Sequence, residues 1–436
     1  MSVPSSSDPS PPAPDGAAAA PAVRGEAGQL GLLFGALYFI QGLGEPTDGL
    51  VAQPIRSLLE SWHCSPKHIG LFMAILSLPW TWKPVYGLLT DFVPLGGSRR
   101  RNYLLAATAI TVIGLLAAAA VPLNADSYWW LLGVLLMSSV GIAFSDVVTD
   151  ALMVEKGQPR GLTGWLQSIQ WTAMYVAIAL VGIAGGYLSE HRLHRMGLLV
   201  CGGASLVTLL LAVFCVHEET QRAPRTGFRA ACRELYDAAR QPAVWGVGVF
   251  LFLWNFNPFS TTVLQLHMTS ALGLSEQFYG NTVTVTALSQ IAASACYGCY
   301  CRRLPFPLLV HLSIVMGIIS TVAYWGLAGE RSAIVISLAI GFAYMTANLI
   351  QLDFAARVCP PHSAGTVFAL LMALSNAGLS LSVVVGSYLY GWGMAWWDAR
   401  GSFDFLVLVG ALTTAGCWLL IPVLRPHWGR EGAAGG

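Results

Sequence analysis

Charge is what this chain of 436 residues has least of: 10% is Asp, Glu, Lys or Arg, against 55% apolar. A soluble domain carries about a quarter charged residues, so water would not solvate this surface. Basic and acidic residues number 23 and 22, a net charge of +1, and no field of one sign draws a charged partner. A soluble enzyme, a disulfide scaffold and a nucleic-acid binder are thereby excluded. No Walker-type phosphate loop is present, which excludes an ATP-driven pump unless a partner subunit supplies the ATPase. His217-Glu218-Glu-Thr-Gln221 lacks the second histidine of a zinc-protease motif. The nine cysteines lie mostly inside or beside apolar stretches, where cysteine behaves as a small apolar residue. Cys296, Cys299 and Cys301 have no histidine or acid nearby to complete a metal or redox site, and packing is expected of them. No disulfide, metal or cofactor is expected. Residues 1–27 are rich in Ser, Pro and Ala and lack the apolar core of a secretory signal. Asp8, Asp15 and Glu26 against Arg24 do not fit a plastid transit peptide, so this stretch reads as a disordered tail.

What the chain has instead is a series of bilayer-length apolar stretches. Segments near 29–51, 68–90, 102–122, 128–152, 162–188, 196–216, 243–267, 276–300, 305–327, 331–355, 363–391 and 402–424 predict twelve transmembrane helices. Helices are expected because lipid leaves no other partner for the backbone, and these runs are too long for barrel strands. With both termini inside, sixteen Lys and Arg fall on the cytoplasmic side and six outside, which satisfies the positive-inside rule. Trp62, Tyr128-Trp129-Trp130, Trp325 and Trp396-Trp397 then mark the outer interface. The polar interval 217–242, in which 228–240 reads as an interfacial helix, separates six-helix stretches at 28–216 and 243–424, with a cytoplasmic tail at 425–436. A weak internal echo joins Asp150–Gly164 to Asp353–Thr366. Two such halves are the architecture of major facilitator transporters, in which the substrate sits midway and rocking exposes it to each side in turn.

Acids and bases inside spans cost roughly 2.5–3.5 kcal/mol each on insertion scales, so each needs a reason. Glu45 and Asp48 sit three residues apart, on one helical face, among Gly42, Gly44, Pro46 and Gly49. A helix so easily interrupted, near mid-depth, is where transporters expose backbone to solute or ion. The pair reads as a proton or donor-rich substrate site, with Gln41 beside it; the alternative is a carboxylate paired with Arg56 or Lys67. Asp146 and Asp150 share a face of the fourth span, and Lys83 lies at similar depth on the second. A Lys83–aspartate pair is expected, either structural or rearranging during transport; Asp150 and Glu155 have the alternative of solvation at the membrane edge. Asp353, Asn255 and Asn257 complete the binding candidates, and helix–helix hydrogen bonding is the alternative for both asparagines. His267 and His311 sit near span ends and are not assigned the proton. Gly87, Asp91 and Arg99-Arg100-Arg101 frame the loop after the second span. This order resembles the signature loop of the major facilitator superfamily and predicts a charge clamp at the inner gate. The loop is longer than the signature, with Pro94 inserted, and its counterpart before Arg302-Arg303 lacks the acid.

Taken together, the residues resemble the folate–biopterin transporters of that superfamily. The likeness is carried by Tyr38-Phe-Ile-Gln41-Gly42, Leu78-Pro79-Trp80, Lys83-Pro84-Val-Tyr86-Gly87 and Asp91. It continues through Arg99-Arg100-Arg101-Asn-Tyr103, Ser145-Asp146-Val-Val-Thr-Asp150-Ala-Leu-Met-Val-Glu155, Leu166-Gln167-Ser168 and Trp171. In the second half it is carried by Cys359-Pro360, Phe368-Ala-Leu-Leu-Met372 and Ser375-Asn376-Ala-Gly378; spans eight, nine and twelve contribute little. The resemblance implies uptake of folates or pterins coupled to protons. A carboxylate at Glu45 or Asp48 suits the adjacent N–H donors of a pterin, and Lys83 suits a folate carboxylate. A secondary transporter, expected to be a monomeric proton symporter in a bacterial-type inner membrane, is the leading reading. The runner-up is a permease for muropeptides or another organic anion, which more cavity cations would favour. From another class, Asp146-Val-Val-Thr-Asp150 resembles one metal-binding element of intramembrane prenyltransferases, but Asp353 alone supplies no second cluster.

Overall fold

In the computed structural model, residues 21–218, 233, 236–237, 240–301, 304–359 and 364–425 are described. Residues 1–20 and 426–436 of the expected tails, most of the 217–242 interval with its interfacial helix, and Arg302-Arg303 lie outside them; the last part of the expected N-terminal tail, 21–27, is not a tail but the start of a helix that runs on into the first apolar stretch. Nearly everything described is helix; the only strand-like feature among these residues is an isolated bridge between Leu95 and Ser98. Helices α1 (Pro21–Gly44), α2 (Ala52–Ser61), α3 (Pro66–Ser77), α4 (Lys83–Phe92), α5 (Arg101–Ala120), α6 (Tyr128–Gly157), α7 (Thr163–Glu190) and α8 (His194–Phe214) form a first set. A second set comprises α9 (Pro242–Asn255), α10 (Thr261–Leu266), α11 (Glu276–Cys301), α12 (Phe306–Val322), α13 (Glu330–Val358), α14 (Ala364–Gly393), α15 (Ala399–Gly416) and α16 (Ile421–Leu424).

Nine helices among the described residues are long and apolar enough to cross a membrane. Their outward faces are apolar too: Leu32 is 78% and Leu419 82% exposed, which only a lipid solvent accommodates. The other expected segments are helical but interrupted or more polar. In the second, Pro79 and Pro84 remove backbone donors, and a 3₁₀ turn at Leu78–Trp82 separates α3 from α4. In the seventh, the expected continuous helix over 243–267 is instead broken at Phe256–Ser260, where Pro258 follows Asn257. Ser260 caps the new helix by accepting from the Val263 N–H, and α10 runs on into a π-helical turn, His267–Ala271.

Buried apolar side chains form one cluster around Val51, Ile55, Phe72 and Leu135 in the first set and another around Phe250, Phe354 and Leu371 in the second. The sets meet along two seams, α7 on α11 and α3 on α14. Lipid is as apolar as leucine, so close backbone approach rather than water exclusion must hold such seams. The first is built accordingly. A Cβ on Gly280 would lie 2.2 Å from the Gly182 carbonyl oxygen, and the Thr284 hydroxyl donates to the Ala179 carbonyl at 2.7 Å. The second closes through Gly70 against Ser387 and Ser77 against Ser380, Oγ to Oγ at 2.7 Å. Toward the Arg99–Arg101 end α7 is looser, and Gln167, Ser168, Trp171 and Thr172 are exposed.

Candidate functional site

The break between α1 and α2 brings the first acids into place. Gly49 packs so tightly under the turn that a Cβ there would lie 2.4 Å from the Glu45 carbonyl oxygen. Glu45 and Asp48 therefore sit on a turn, not on the shared helical face the spacing suggests. The Glu45 carboxylate folds back to accept from the Thr47 hydroxyl at 2.6 Å and the Asp48 N–H at 2.6 Å. It also accepts the Trp80 indole N–H at 3.3 Å. Asp48 is exposed, within electrostatic range of Arg56 and of Tyr344 from the second set. Glu45 takes no part in the alternative pairing of a carboxylate with Arg56 or Lys67, its partners being Thr47, Asp48 and Trp80. Arg56 donates to Gln265 and to the Thr47 carbonyl next to Asp48, and Lys67 lies over the Tyr388 ring at 5.0 Å.

Trp80 links this turn to a second group of charges. Its carbonyl accepts from Asn376 of α14 at 3.3 Å, and Lys83 Nζ lies 4.6 Å from its ring centroid. Lys83 pairs with Asp146 at 2.5 Å, and the other Asp146 oxygen accepts from the Gln41 amide at 2.5 Å. One turn on, Asp150 accepts from the Tyr38 hydroxyl at 2.5 Å and the Gln170 amide at 3.1 Å, so it is not a carboxylate simply solvated at the edge. Glu45, Trp80, Lys83, Asp146 and Gln41 thus form one connected polar chain inside an apolar bundle. Tyr38 and Gln170, on Asp150, complete its surroundings. Sequence reasoning missed Trp80 and Tyr38 as site residues, although an aromatic beside an in-span lysine is a usable cation–π signal.

Three candidates lie elsewhere. Asn255 donates to Leu251 of its own helix. Asn257 pins the break in the seventh segment: its amide donates to Thr321 at 2.7 Å, its side-chain oxygen accepts the Phe259 N–H at 3.0 Å, and its carbonyl accepts from Ser382. Asp353 pairs with Arg357 one turn along α13 at 3.1 Å.

The basic loop is a compact cluster within the first set. Arg100 is buried and donates to Asp91 at 2.5 Å, Thr90 at 2.7 Å and Glu155 at 3.0 Å, and Arg99 lies 3.6 Å from Asp91. A residue not anticipated organises it. Glu218 accepts from the Ser98 hydroxyl at 2.5 Å and from the N–H groups of Arg99, Arg100 and Arg101 at 2.9–3.1 Å, placing a carboxylate on the start of α5. Burial pushes the Glu218 carboxyl up, but these hydrogen bonds outweigh it and hold it below the usual carboxylate range. Arg101 instead donates to the Val213 carbonyl. Gly87 has no steric demand to be glycine, since a Cβ there would meet only Val147 at 3.9 Å.

An apolar helical bundle with paired seams, broken helices and a polar chain between them has the fold of the major facilitator proteins. Solved structures agree on the fold: the nucleoside transporter NupG aligns with a TM-score of 0.69 at 14% identity over 92% of this chain and 99% of that one. A D-xylose-proton symporter aligns with a TM-score of 0.67 at 15% identity over 92% and 98%. The BT1 family model matches residues 48–427, and the chain belongs to that family. A Synechocystis protein named folate-biopterin transporter is 30% identical over 89% of this chain and 79% of its own length. An Arabidopsis thaliana protein named probable folate-biopterin transporter 4 is 24% identical over 81% and 86%. The chain is a multi-pass integral membrane transporter, not an enzyme, and the prenyltransferase reading falls. Its two aspartates are in any case engaged by Lys83, Gln41, Tyr38 and Gln170.

Proposed function

We propose that the protein moves a folate, a pterin or a similar small organic solute by alternating access, coupled to protons, with its Arg99–Arg101 end toward the cytoplasm. The observation that carries this reading is the polar chain from Glu45 through Trp80 and Lys83 to Asp146, tied to the second set by Asn376. Buried acids in such a chain suit proton exchange, and the names of the relatives supply the solute class. Asp48, exposed at the turn, is the carboxylate for a pterin's paired N–H donors, and Trp80, on the Glu45 carboxylate, is a flat face for its ring. Lys83 is committed to Asp146, which counts equally against its contact with a folate carboxylate and against the organic-anion permease reading; the names of the relatives favour the folate class. The Synechocystis relative is consistent with a bacterial-type inner membrane.

The test is uptake of labelled folic acid into proteoliposomes with and without an inward proton gradient, for the wild type, Glu45→Gln and Asp48→Asn. Gradient-driven uptake, lost in either variant, is the expected result. Uptake insensitive to the gradient sinks proton coupling, and no uptake above empty liposomes by folded protein sinks folate as the solute.

A further inference from the structure

The two helix sets are joined, at the end away from the arginine cluster, by charged and amide side chains that no apolar seam requires. Arg56 on α2 is 5% exposed and donates Nε–H to the Gln265 side-chain oxygen on α10 at 2.5 Å. The Gln265 amide donates in turn to the Glu276 carboxylate at the start of α11 at 3.1 Å. Gln53, one turn before Arg56, donates to the same carboxylate and to the Glu276 carbonyl, each at 2.7 Å. Gln265 is fully buried and also donates toward the Gln53 carbonyl at 3.4 Å. A cation of one set is therefore linked to an anion of the other through a single amide.

Its position matters as much as its bonding. On the inner flank, Arg56 donates to the Thr47 carbonyl at 3.3 Å, next to Asp48. On the outer flank, Glu276 lines a cavity of about 410 Å³ shared with Glu60, Glu190, Arg192 and His194. The bridge is the layer between the turn carrying the substrate-site acids and that cavity. Ser270 donating to Glu60 adds a second link between the sets at the rim. Gln265 itself stands two residues before the π-helical turn His267–Ala271, a local widening that proteins use where a helix must change shape.

We propose that Arg56, Gln265 and Glu276, with Gln53, form the outer gate, which must part for the outward-open state; this rests on the alternating-access reading above. Breaking it exposes Asp48 to the outer cavity, and remaking it isolates Asp48 from that side. Buried groups that hold one another shut cannot exchange with apolar neighbours, so the gate has two discrete arrangements rather than a continuum.

The experiment uses the full chain with bioorthogonal spin labels at Asp126 and Trp396, exposed in the loops of the two sets at this end, so the native cysteines stay in place. Pulsed dipolar distances are measured in nanodiscs with no solute added. The wild type is expected to show mainly the short distance. Gln265→Leu and Glu276→Gln are each expected to raise the ratio of long to short distance about tenfold or more, a shift of about 1.4 kcal/mol. If Gln265→Leu does not fold, Gln265→Asn, which withdraws the amide by one methylene, carries the same expectation. Variants that melt like the wild type and keep its distance distribution overturn the gate. Because no solute enters the measurement, a failure of folate uptake leaves this result standing, and the two readings fail separately.

Discussion

At the scale of single residues, the charges divide into those whose partners the sequence announced and those whose partners only folding supplies. Lys83 and Asp146 were legible because two unlike charges at equal depth on antiparallel spans have little else to do. Their pairing at 2.5 Å, with Asp146 almost fully buried, makes a directional prediction. Lys83→Met leaves the aspartate unpaired and is expected to lower stability by about 3 kcal/mol, whereas Lys83→Met with Asp146→Asn recovers most of it. Melting of the purified variants in detergent checks the first statement, and a double variant no more stable than the single one contradicts the second. Glu218 was invisible for the opposite reason: its partners are backbone N–H groups some 120 residues earlier, which carry no side-chain signal. As a cap on α5 it is worth about 1 kcal/mol. Because its folded value is depressed, that contribution is present above the unfolded value of about 4.3 and is lost as pH falls through the folded one. The melting difference between wild type and Glu218→Gln is therefore expected to be constant above about pH 5 and to shrink below about pH 4.

At the scale of elements, hydrophobic length found the spans but not their interruptions. The break after Gly44 was marked by a density of Gly and Pro, and it forms there. The break at Asn257-Pro258 carried cues of its own, Asn255, Asn257, Pro258 and Ser260-Thr-Thr262, but they sit inside a segment whose flanks are apolar enough to read as one continuous span. The close approach of α7 and α11 was unmarked, since nothing in a sequence says which two glycines will face each other. Gly280 and Gly182 do, and a methyl on Gly280 has nowhere to go but into the Gly182 carbonyl. Gly280→Ala is expected to destabilise by about 2 kcal/mol, the usual cost of overpacking a closed contact. Gly203→Ala, with open space around it, is the matched control and is expected to melt like the wild type. Equal melting temperatures for the two variants would mean that the seam yields where the structure shows it closed.

At the scale of the whole molecule, the two sets of helices are closed on one another at one end and loose at the other, and transport by alternating access requires that asymmetry to reverse. Gly70 against Ser387, Ser77 against Ser380 and Arg56 against Gln265 all lie on the closed side. The exposed Gln167, Ser168 and Trp171 lie toward the arginine cluster. The sequence supplied the ends, through its arginines and tryptophans, but not which end is shut, because that is a difference between two packings of the same helices. A covalent staple separates rocking from a static pore. The Ser77 and Ser380 hydroxyl oxygens are 2.7 Å apart, close enough that cysteines there are expected to join on mild oxidation. Ser77→Cys with Ser380→Cys is expected to transport while reduced, to fall to the level of empty liposomes when oxidised, and to recover with dithiothreitol. Each single variant is expected to ignore the oxidant, which separates the staple from damage to the nine native cysteines. Stapled protein, verified by peptide mapping, that still carries solute would mean the seam never opens, and solute would then have to pass along some path other than the one between the two sets.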